Sequence, residues 1–256
     1  MSGIISGLLI GLVVNAIWLI LLIGVGRSYG VMRRDSCSRF WRSEKTSRSI
    51  IAVVSVIPTS ATTKEYKRPA TGLGELLAFS YVSKSLYAAR RSSSLSSVFT
   101  ADRFPSEALA SSIITIGGSQ LNSITELFLE CLDLEYEVLN DPPKCVHDRA
   151  SGRKFETVQR NGEIVVDHGI LTRIVNPFKE TRRVYVLQGA HTFGTAACGR
   201  VLDPEHISKV RSAVSRLDSP NWQAVIRAVI HGGEVLPEVV EARAVRVLGT
   251  PYQRQS

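Results

Sequence analysis

Three titratable side chains beside predicted strands and helix starts could act as an acid, a base or a nucleophile. Glu75 lies in the first turn of a predicted helix, Asp167 precedes a predicted strand, and His191 lies between a strand and a helix. Cleaving a nucleotide, or transferring part of it, needs such groups beside the bound phosphate. The sequence has no Walker loop, nucleophile elbow or metal-ligand spacing, so we expect neither a metal nor a cofactor.

Two of these side chains also have an ordinary structural explanation. A carboxylate in the first helical turn, as at Glu75, is favoured by the helix dipole. A loop histidine such as His191 can hydrogen-bond to the backbone around it. The functional alternatives are recognition of ribose or base by Glu75, and a ligand contact by His191 at the carboxyl end of a strand. The sequence leaves both pairs of alternatives open.

Two strand–glycine–helix units surround these candidates. The first runs from the branched strand Ile113 to Ile116 into an amphipathic helix that Ser119 or Asn122 can cap, and the second follows the strand Arg182 to Leu187. Glycines between strand and helix permit sharp turns, and the unpaired N–H groups of a helix start attract anions.

A third helix start follows the predicted buried strand from Ile50 to Ile57, which Pro58 ends. Together, the three helix starts predict a ligand site built from backbone N–H groups and short polar side chains. The expected ligand contacts are Thr71, Gly72, Gly74, Glu75, Gly117, Gly118, Ser119, Asn122, Thr125, Gly189, His191, Gly194 and Thr195.

The order of the predicted elements is that of one α/β domain from residue 49 to residue 249. Between residues 144 and 168 short strands and turns replace the longer elements, and Asn161-Gly162 is a strong hairpin signal. We interpret this stretch as a β-rich insertion over one edge of the sheet. A helix is predicted from Asp203 to Leu217, two antiparallel strands around Gly232-Gly233 close the domain, and residues 250–256 form a polar tail.

The chain begins with an uncharged segment, Ile4 to Val25, about as long as a helix that crosses a bilayer. No Lys or Arg precedes this segment, which disfavours the alternative of a cleaved secretory signal. We therefore predict a single-pass transmembrane helix within residues 1–26. The nearby positive charge follows the segment, so the positive-inside rule places the C-terminal domain in the cytoplasm, at the cell membrane.

Most of the net charge of +8 lies in residues 27–48, which we interpret as a basic juxtamembrane linker. Beside a membrane segment, anionic lipid headgroups explain such a run better than nucleic acid does, because no aromatic interleaving and no nucleic-acid motif accompany it. We therefore expect lipid, and not nucleic acid, as the partner of the linker. The four cysteines have no CxxC spacing and suit buried thiols.

Four motifs are similar to those of a family of largely uncharacterised, membrane-anchored bacterial proteins. They are Thr71-Gly-Leu-Gly-Glu75, Ile116-Gly-Gly-Ser-Gln-Leu-Asn-Ser-Ile-Thr125, Asp167-His-Gly-Ile-Leu-Thr-Arg-Ile-Val-Asn-Pro-Phe178 and Gly189-Ala-His-Thr-Phe-Gly-Thr195. That family tends to carry Gly-Gly-Pro-x-x-Asn-x-x-Thr in the second motif, where this chain has Ser119 in place of the proline. The resemblance spans roughly Ile50 to Leu202. It implies a three-layer Rossmann-like domain with a nucleotide-binding pocket, without the usual Gly-x-Gly-x-x-Gly fingerprint, and it implies no reaction.

Three functions fit these observations. The first is a non-catalytic sensor that binds a nucleotide or a similar phosphorylated small molecule at the membrane, with homo-oligomerisation as an output in bacterial signalling. The second is a hydrolase or transferase that processes a nucleotide or nucleoside through Glu75, Asp167 or His191. The third is a protein-interaction module whose glycine loops are only tight turns. We favour the sensor, because the sequence has no catalytic motif.

Overall fold

The computed structural model describes residues 30–44, 50–55, 70–89 and 95–250. The predicted membrane segment from Ile4 to Val25, the predicted strand end at Ile57 and residues 251–256 of the tail lie outside these ranges. Within the ranges, no helix is both long enough and apolar enough to span a bilayer.

The described part of the chain alternates between strands and short helices. The helices are α1 (residues 30–40), α2 (Leu73–Ala88), α3 (Ser123–Glu130), α4 (Thr192–Arg200) and α5 (Ile207–Val214). The strands are β1 (Ile50–Val54), β2 (Leu95–Thr100), β3 (Ser112–Ile116), β4 (Leu132–Asp133), β5 (Tyr136–Leu139), β6 (Cys145–Asp148), β7 (Lys154–Glu156), β8 (Val158–Arg160), β9 (Glu163–Asn176), β10 (Lys179–Gly189), β11 (Trp222–His231), β12 (Glu234–Ala244) and β13 (Arg246–Val247).

Eight strands form one mixed sheet, in the order β12-β11-β9-β10-β3-β1-β2, with β8 paired to β9. β2, β1, β3 and β10 are parallel, whereas β9, β11 and β12 pair in antiparallel fashion. All five residues of β3 are buried, as expected for a strand that is covered on both faces. The strands predicted at these positions and the closing pair around Gly232-Gly233 are confirmed. The domain is an α/β structure with a mixed central sheet.

Separate layers cover the two faces of this sheet. On one face, α1, α2, α4 and α5 pack in a cluster with Ile114 and Leu187. On the other face, Phe128 of α3 packs in a cluster with Ile113 and Val186. Neighbouring residues of a strand point to opposite faces, so β3 and β10 each supply side chains to both clusters.

Helices α2 and α4 approach each other backbone to backbone, because glycines lie where they meet. A Cβ on Gly199 of α4 would lie 2.3 Å from the Cα of Ala78 in α2. A Cβ on Gly74 of α2 would lie 2.2 Å from the carbonyl oxygen of Thr192, at the start of α4. Gly74, which the sequence predicted as a ligand contact, is therefore buried and allows helix packing.

Part of the predicted basic linker belongs to the folded domain. Cys37 and Trp41 are fully buried, and with Phe40 they join the cluster on the α2 face of the sheet. The Trp41 indole donates a hydrogen bond to the hydroxyl of Ser85 (3.0 Å). The core cluster therefore includes residues that precede the predicted domain start at Ser49, because the spacing of Cys37, Phe40 and Trp41 (i, i+3 and i+4) gives this basic segment one apolar face.

Short strands occupy the region predicted as a β-rich insertion, but they belong to two sheets. β5, β6 and β7 form a separate antiparallel sheet, whereas β8 pairs with β9 through the predicted turn at Asn161 and Gly162. Both turn residues have positive φ, 51° and 82°, as this hairpin requires. Gln223 of β11 joins the small sheet to the large one, because it accepts from the N–H of Tyr136 (3.1 Å) and donates to its carbonyl (3.1 Å).

Two further boundaries differ from the sequence prediction. Asp167 does not precede a strand but lies within β9, because β9 continues to pair with β8 and β11 on this stretch. The helix predicted from Asp203 is shorter, because the Asp203 carboxylate accepts the N–H of Glu205 (2.9 Å) in a turn that precedes α5.

We expect Gly199→Val to destabilise the fold, because the new side chain would overlap the backbone of α2. Overpacking of this kind costs about 2 to 3 kcal/mol in the free energy of unfolding. Gly118→Ala is the matched control, because a Cβ at Gly118 meets nothing within 4 Å. Urea unfolding of both variants checks this, and equal stabilities would contradict the close helix contact.

Candidate functional site

A cleft of about 230 Å³ opens beyond the ends of β3 and β10, at the start of α2. The turns after these two strands therefore contribute to the same cleft, together with the loop between β5 and β6. The lining residues are Gly72, Glu75, Gly118, Gln120, Leu121, Asn140, Lys144, Gly189, Ala190, His191, Thr192 and Thr195.

The position of the cleft follows from the direction in which the chain leaves neighbouring strands. β1 and β3 are parallel neighbours. The helix after β1, α2, lies on one face of the sheet, and the helix after β3, α3, lies on the other. Connections that leave on opposite faces open a crevice between the strand ends, and open α/β sheets commonly bind ligands there.

Glu75 lines this cleft from the first turn of α2. Its Oε1 accepts a hydrogen bond from the hydroxyl of Ser55 (3.1 Å), directly after β1. A Cβ on Gly72 would lie 2.2 Å from Oε2 of Glu75, and a Cβ on Gly117 would lie 3.4 Å from Oε1. The two glycines therefore leave space for the carboxylate, which stays half-buried beside the crevice.

Asn122 and Thr125 are fully buried and hold the loop after β3 in place. The Asn122 side chain caps α3 by accepting the N–H groups of Ile124 (3.2 Å) and Thr125 (3.1 Å). Its amide donates to the carbonyls of Val53 (3.3 Å) and Ile116 (3.2 Å), and Thr125 donates to Gly117 (3.0 Å). The sequence predicted both as ligand contacts, but their hydrogen-bonding groups are already used within the protein.

A buried carboxylate of the protein itself occupies the start of α4. Asp167 is fully buried and accepts the N–H of Gly194 (2.6 Å), the N–H of His168 (2.8 Å) and the hydroxyl of Thr157 (3.2 Å). Burial raises the pKa of Asp167, and these hydrogen bonds and the nearby His191 act in the opposite direction. Asp167 is therefore held away from the cleft, and the N–H of Gly194 does not reach a ligand.

The remaining glycines of the second unit allow α4 to lie directly on the strand ends. A Cβ on Gly189 would lie 2.2 Å from the backbone nitrogen of Thr195, and a Cβ on Gly194 would lie 2.1 Å from the carbonyl oxygen of His168. In the first unit, the N–H of Gly117 donates to the carbonyl of Leu187 (2.9 Å). Close packing, more than ligand contact, accounts for these glycines.

Other predicted residues do face the cleft. His191 is the N-cap residue of α4, is half-buried and makes no side-chain capping hydrogen bond. Thr195, one turn later, lines the cleft beside it. Thr71 is exposed and lies outside the set of lining residues, and Ser119 lines a second cavity instead.

Sequence reasoning missed the wall that the loop between β5 and β6 contributes. Asn140 and Lys144 lie in this loop and line the cleft, together with Gln120 and Leu121 from the turn before α3. Within the described ranges, the Lys144 ammonium has no carboxylate partner. The sequence gives no periodic signal for this wall, because the loop reaches the cleft only through the pairing of the small sheet.

The cleft thus combines charges of both signs with backbone N–H groups. Glu75 contributes a carboxylate on the side of α2, and Lys144 contributes an ammonium from the small sheet. Gly118 and Thr192 also line it, and neither donates a backbone hydrogen bond to another described residue. This arrangement can bind an anionic group at the lysine and amides, and hydroxyl groups at the carboxylate.

No protein-family model matches this chain, and no curated protein matches it either. The assignment of the cleft therefore depends on its geometry and charges.

We expect Asn122→Ala to destabilise the protein, because it removes a helix cap and the two hydrogen bonds that the Asn122 amide donates to the carbonyls of Val53 and Ile116. The loss in the free energy of unfolding is about 2 to 4 kcal/mol. Asn140→Ala is the matched control, since Asn140 lies in the cleft wall and should change stability by less than about 0.5 kcal/mol. Equal effects in urea unfolding would argue against the structural role of Asn122.

The buried imidazole of His168, next to Asp167, predicts a loss of stability in mild acid. Burial, and then the charge of Arg227, lower the pKa of His168 from 6.5 to about 4. The unfolded chain therefore binds more protons than the folded one between these values. The stabilising contribution is complete above pH 6.5 and disappears as the pH falls toward 4, by about 3 kcal/mol at most.

Urea unfolding of the wild type and of His168→Gln at several pH values from 4 to 7 checks this. The slope of stability against pH in this window should be smaller in the variant. Identical slopes would show that His168 titrates normally in the folded protein. Asp167 remains in both proteins, so its own titration cancels in the comparison.

Proposed function

We propose that this protein is a ligand-binding domain for a nucleotide or a similar phosphorylated small molecule. The observation that supports this most directly is the cleft at the crevice between β1 and β3, whose lining includes a lysine, a carboxylate and two residues whose backbone N–H groups donate to no other described residue. A phosphate would bind at Lys144 and at the N–H groups of Gly118 and Thr192. Hydroxyl groups of a sugar would bind at Glu75.

This assignment moves the anion contacts away from the residues that the sequence pattern favoured. The N–H groups of Gly117 and Gly194 are bonded within the protein, so they cannot bind phosphate. Lys144 takes their place, because a lysine near a helix start gives a phosphate both charge and hydrogen bonds. The volume of about 230 Å³ lies below the range of pockets that enclose drug-sized ligands, which favours a small ligand or one end of a larger one.

The proposal includes a Rossmann-like three-layer arrangement and a membrane tether. The parallel strands β2, β1, β3 and β10, with helices on both faces, support the first of these. The uncharged segment from Ile4 to Val25 supports a single-pass anchor, with the domain in the cytoplasm and the basic residues near anionic lipid. Ligand binding would then lead to self-association of the anchored chains.

A hydrolase or transferase acting on a nucleotide is the second candidate. Glu75 and His191 line the same cleft, so an acid and a base could both reach one ligand. Asp167, the third candidate residue, is fully buried and receives three hydrogen bonds, so it would position α4 and would not react. Product formation from a bound nucleotide, abolished by Glu75→Gln and by His191→Gln, would distinguish an enzyme from a sensor.

Native mass spectrometry of the full chain, purified without added ligand, tests the binding proposal. We expect a small phosphorylated compound to remain bound. In a thermal-shift panel of nucleotides and sugar phosphates, a ligand at a hundredfold excess over its Kd should stabilise by about 2.7 kcal/mol, or raise the Tm by about 5 to 10 °C. If no compound copurifies and no member of the panel raises the Tm, the proposal fails. The remaining alternative is then the protein-interaction module.

Lys144→Met should weaken binding of the phosphorylated ligand, because it removes a charge-assisted contact and keeps the length of the side chain. We expect Kd to rise about 10-fold to 100-fold by isothermal titration calorimetry, corresponding to about 1.5 to 3 kcal/mol. Lys179→Met is the matched control, since Lys179 is the first residue of β10, at the end of the strand that is far from the cleft. An unchanged Kd in Lys144→Met would show that Lys144 does not contact the ligand.

A further inference from the structure

A group of basic side chains lies on the surface where α1 packs beside α5. Phe40 of α1 belongs to the same core cluster as Ile207 and Val210 of α5. In addition, Arg33 of α1 forms an ion pair with Glu205 (3.0 Å), in the turn before α5. The fold therefore brings a basic segment from the start of the described chain against a second basic segment, α5, that is distant in sequence.

Like charges from these two segments lie close together. Burial, and then the charges of Arg39 and Arg42, lower the pKa of Arg211 on α5. Arg39 and Arg42 are exposed, and so are Lys209 and Arg216, which line a groove beside α5. We call these five residues the basic face.

Few negative charges balance the basic face. Residues 30–42 and 207–216 contain seven Arg and Lys residues but a single carboxylate, Asp35, which forms its ion pair within α1. Glu238 lines the groove beside α5, but it also pairs with Arg227 (3.0 Å). Crowded like charges destabilise a folded protein, so this surface is suited to an anionic partner.

The place of α1 in the chain determines which anionic surface lies nearest. The inference rests on the membrane anchor of the proposed function, with the segment from Ile4 to Val25 in the bilayer. An extended chain advances at most about 3.6 Å per residue, so the steps from Val25 to Gly30 span at most about 18 Å. The start of α1 therefore lies within about 18 Å of the end of the membrane segment.

Helix α1 is fixed to the rest of the domain. Cys37 and Trp41 are fully buried, and the Trp41 indole donates a hydrogen bond to the hydroxyl of Ser85 in α2 (3.0 Å). Residues 30–42 are therefore part of the domain and do not act as a tether. A domain that is joined to its anchor in this way presents α1, and the adjacent α5, to the bilayer.

Two exposed apolar side chains favour a lipid surface over another polyanion. Val31 and Met32, at the start of α1, are 64% and 66% exposed. Arg34, which follows them, is also exposed. Neighbouring apolar and basic side chains are typical of helices that lie in the headgroup region of a membrane. A nucleic acid would neutralise the arginines but would leave Val31 and Met32 in water.

The ligand cleft lies at the other end of the helices that α1 covers. Gly74 of α2 meets Thr192 of α4 beside the cleft. Near the end of α2, Lys84 pairs with Asp203 (2.7 Å), which follows α4 and precedes the turn that Arg33 contacts. A partner bound at α1 and α5 would therefore leave the cleft accessible.

We propose that the basic face docks on the anionic lipid bilayer in which the chain is anchored. The guanidinium groups of Arg39, Arg42 and Arg211 contact lipid phosphates, and Val31 and Met32 enter the headgroup region. Helix α5, which is far from the anchor in sequence, is thereby part of the membrane-contacting surface. The anchor and this surface together hold the domain in one orientation, with the cleft open to the cytoplasm.

Fluorescence quenching of the full chain in lipid nanodiscs tests this inference. A bimane label is placed on Ser212→Cys in α5, because the four native cysteines are buried. The nanodiscs contain phosphatidylcholine, about 30% phosphatidylserine and a lipid with a nitroxide quencher at its headgroup. The matched control is a label on Ser123→Cys, an exposed serine in α3, on the opposite face of the sheet. We expect at least about twofold stronger quenching of the α5 label, since only this label would lie at headgroup depth.

Charge reversal separates electrostatic docking from simple proximity to the anchor. Arg42→Glu combined with Arg216→Glu should abolish the excess quenching of the α5 label, and so should nanodiscs without phosphatidylserine. Arg103→Glu combined with Arg160→Glu changes the net charge equally, at exposed arginines outside α1 and α5, and should leave the excess unchanged. Equal quenching of the two labels would overturn the inference. So would an excess that both double variants retain.

Alkaline carbonate extraction distinguishes failure of the anchor from failure of the docking surface. A chain that carbonate extracts from membranes has no membrane-spanning anchor, which overturns both. A chain that resists extraction but shows equal quenching of the two labels keeps the anchor and has no docking surface. RNA binding by that chain, lost on charge reversal of the basic face, would assign the face to nucleic acid instead. Because nucleotide binding at the cleft is measured separately, it can succeed or fail without changing these results.

Discussion

The cleft depends on the glycines at the contact between α4 and the sheet, because they leave no side chain between the helix and the strands. A Cβ on Gly169 would lie 2.5 Å from the carbonyl oxygen of Gly194, and Cβ atoms on Gly189 and Gly194 would overlap backbone atoms in the same way. On its other side, α4 meets α2 at Gly74 and Gly199. These close contacts hold the starts of α2 and α4 beside the ends of β1, β3 and β10. The Asp167 carboxylate accepts a hydrogen bond from the N–H of Gly194 and so holds α4 against the sheet.

This constraint explains why the glycine pattern pointed to the ends of the strands where the cleft lies, although several of the residues in that pattern pack or cap helices there. Alternation, branched runs and glycine turns were enough to predict β1, β3, β10 and the closing hairpin, because these signals are local. The spacing of Asn122 and Thr125 was also local, and it marks a helix cap that uses every group of the Asn122 side chain within the fold. A cap and a ligand contact need the same residue types, so the sequence alone could not separate them.

Other parts of the site depend on contacts that are distant in sequence. Lys144 reaches the cleft from the small sheet, which is fixed to the large sheet by Gln223 of β11 and by the pairing of Arg243 in β12 with Asp148. Trp41 is buried by α2 and β10, although it follows a basic run that resembles a linker. We predicted a linker because the run is basic, whereas the apolar face formed by Cys37, Phe40 and Trp41 packs the segment into the core. Such long-range pairings have no signature in composition or periodicity.

The central claim is that the turn before α3, the β5–β6 loop and the start of α4 form one site for a phosphorylated ligand. Hydrogen-exchange mass spectrometry of the full chain, with and without the panel compound that raises the Tm most, tests it directly. We expect slower exchange in residues 118–121, 140–144 and 190–193 together, with little change at the opposite ends of the strands near Lys179. Protection confined to other segments, or no protection in any of the three, would contradict it.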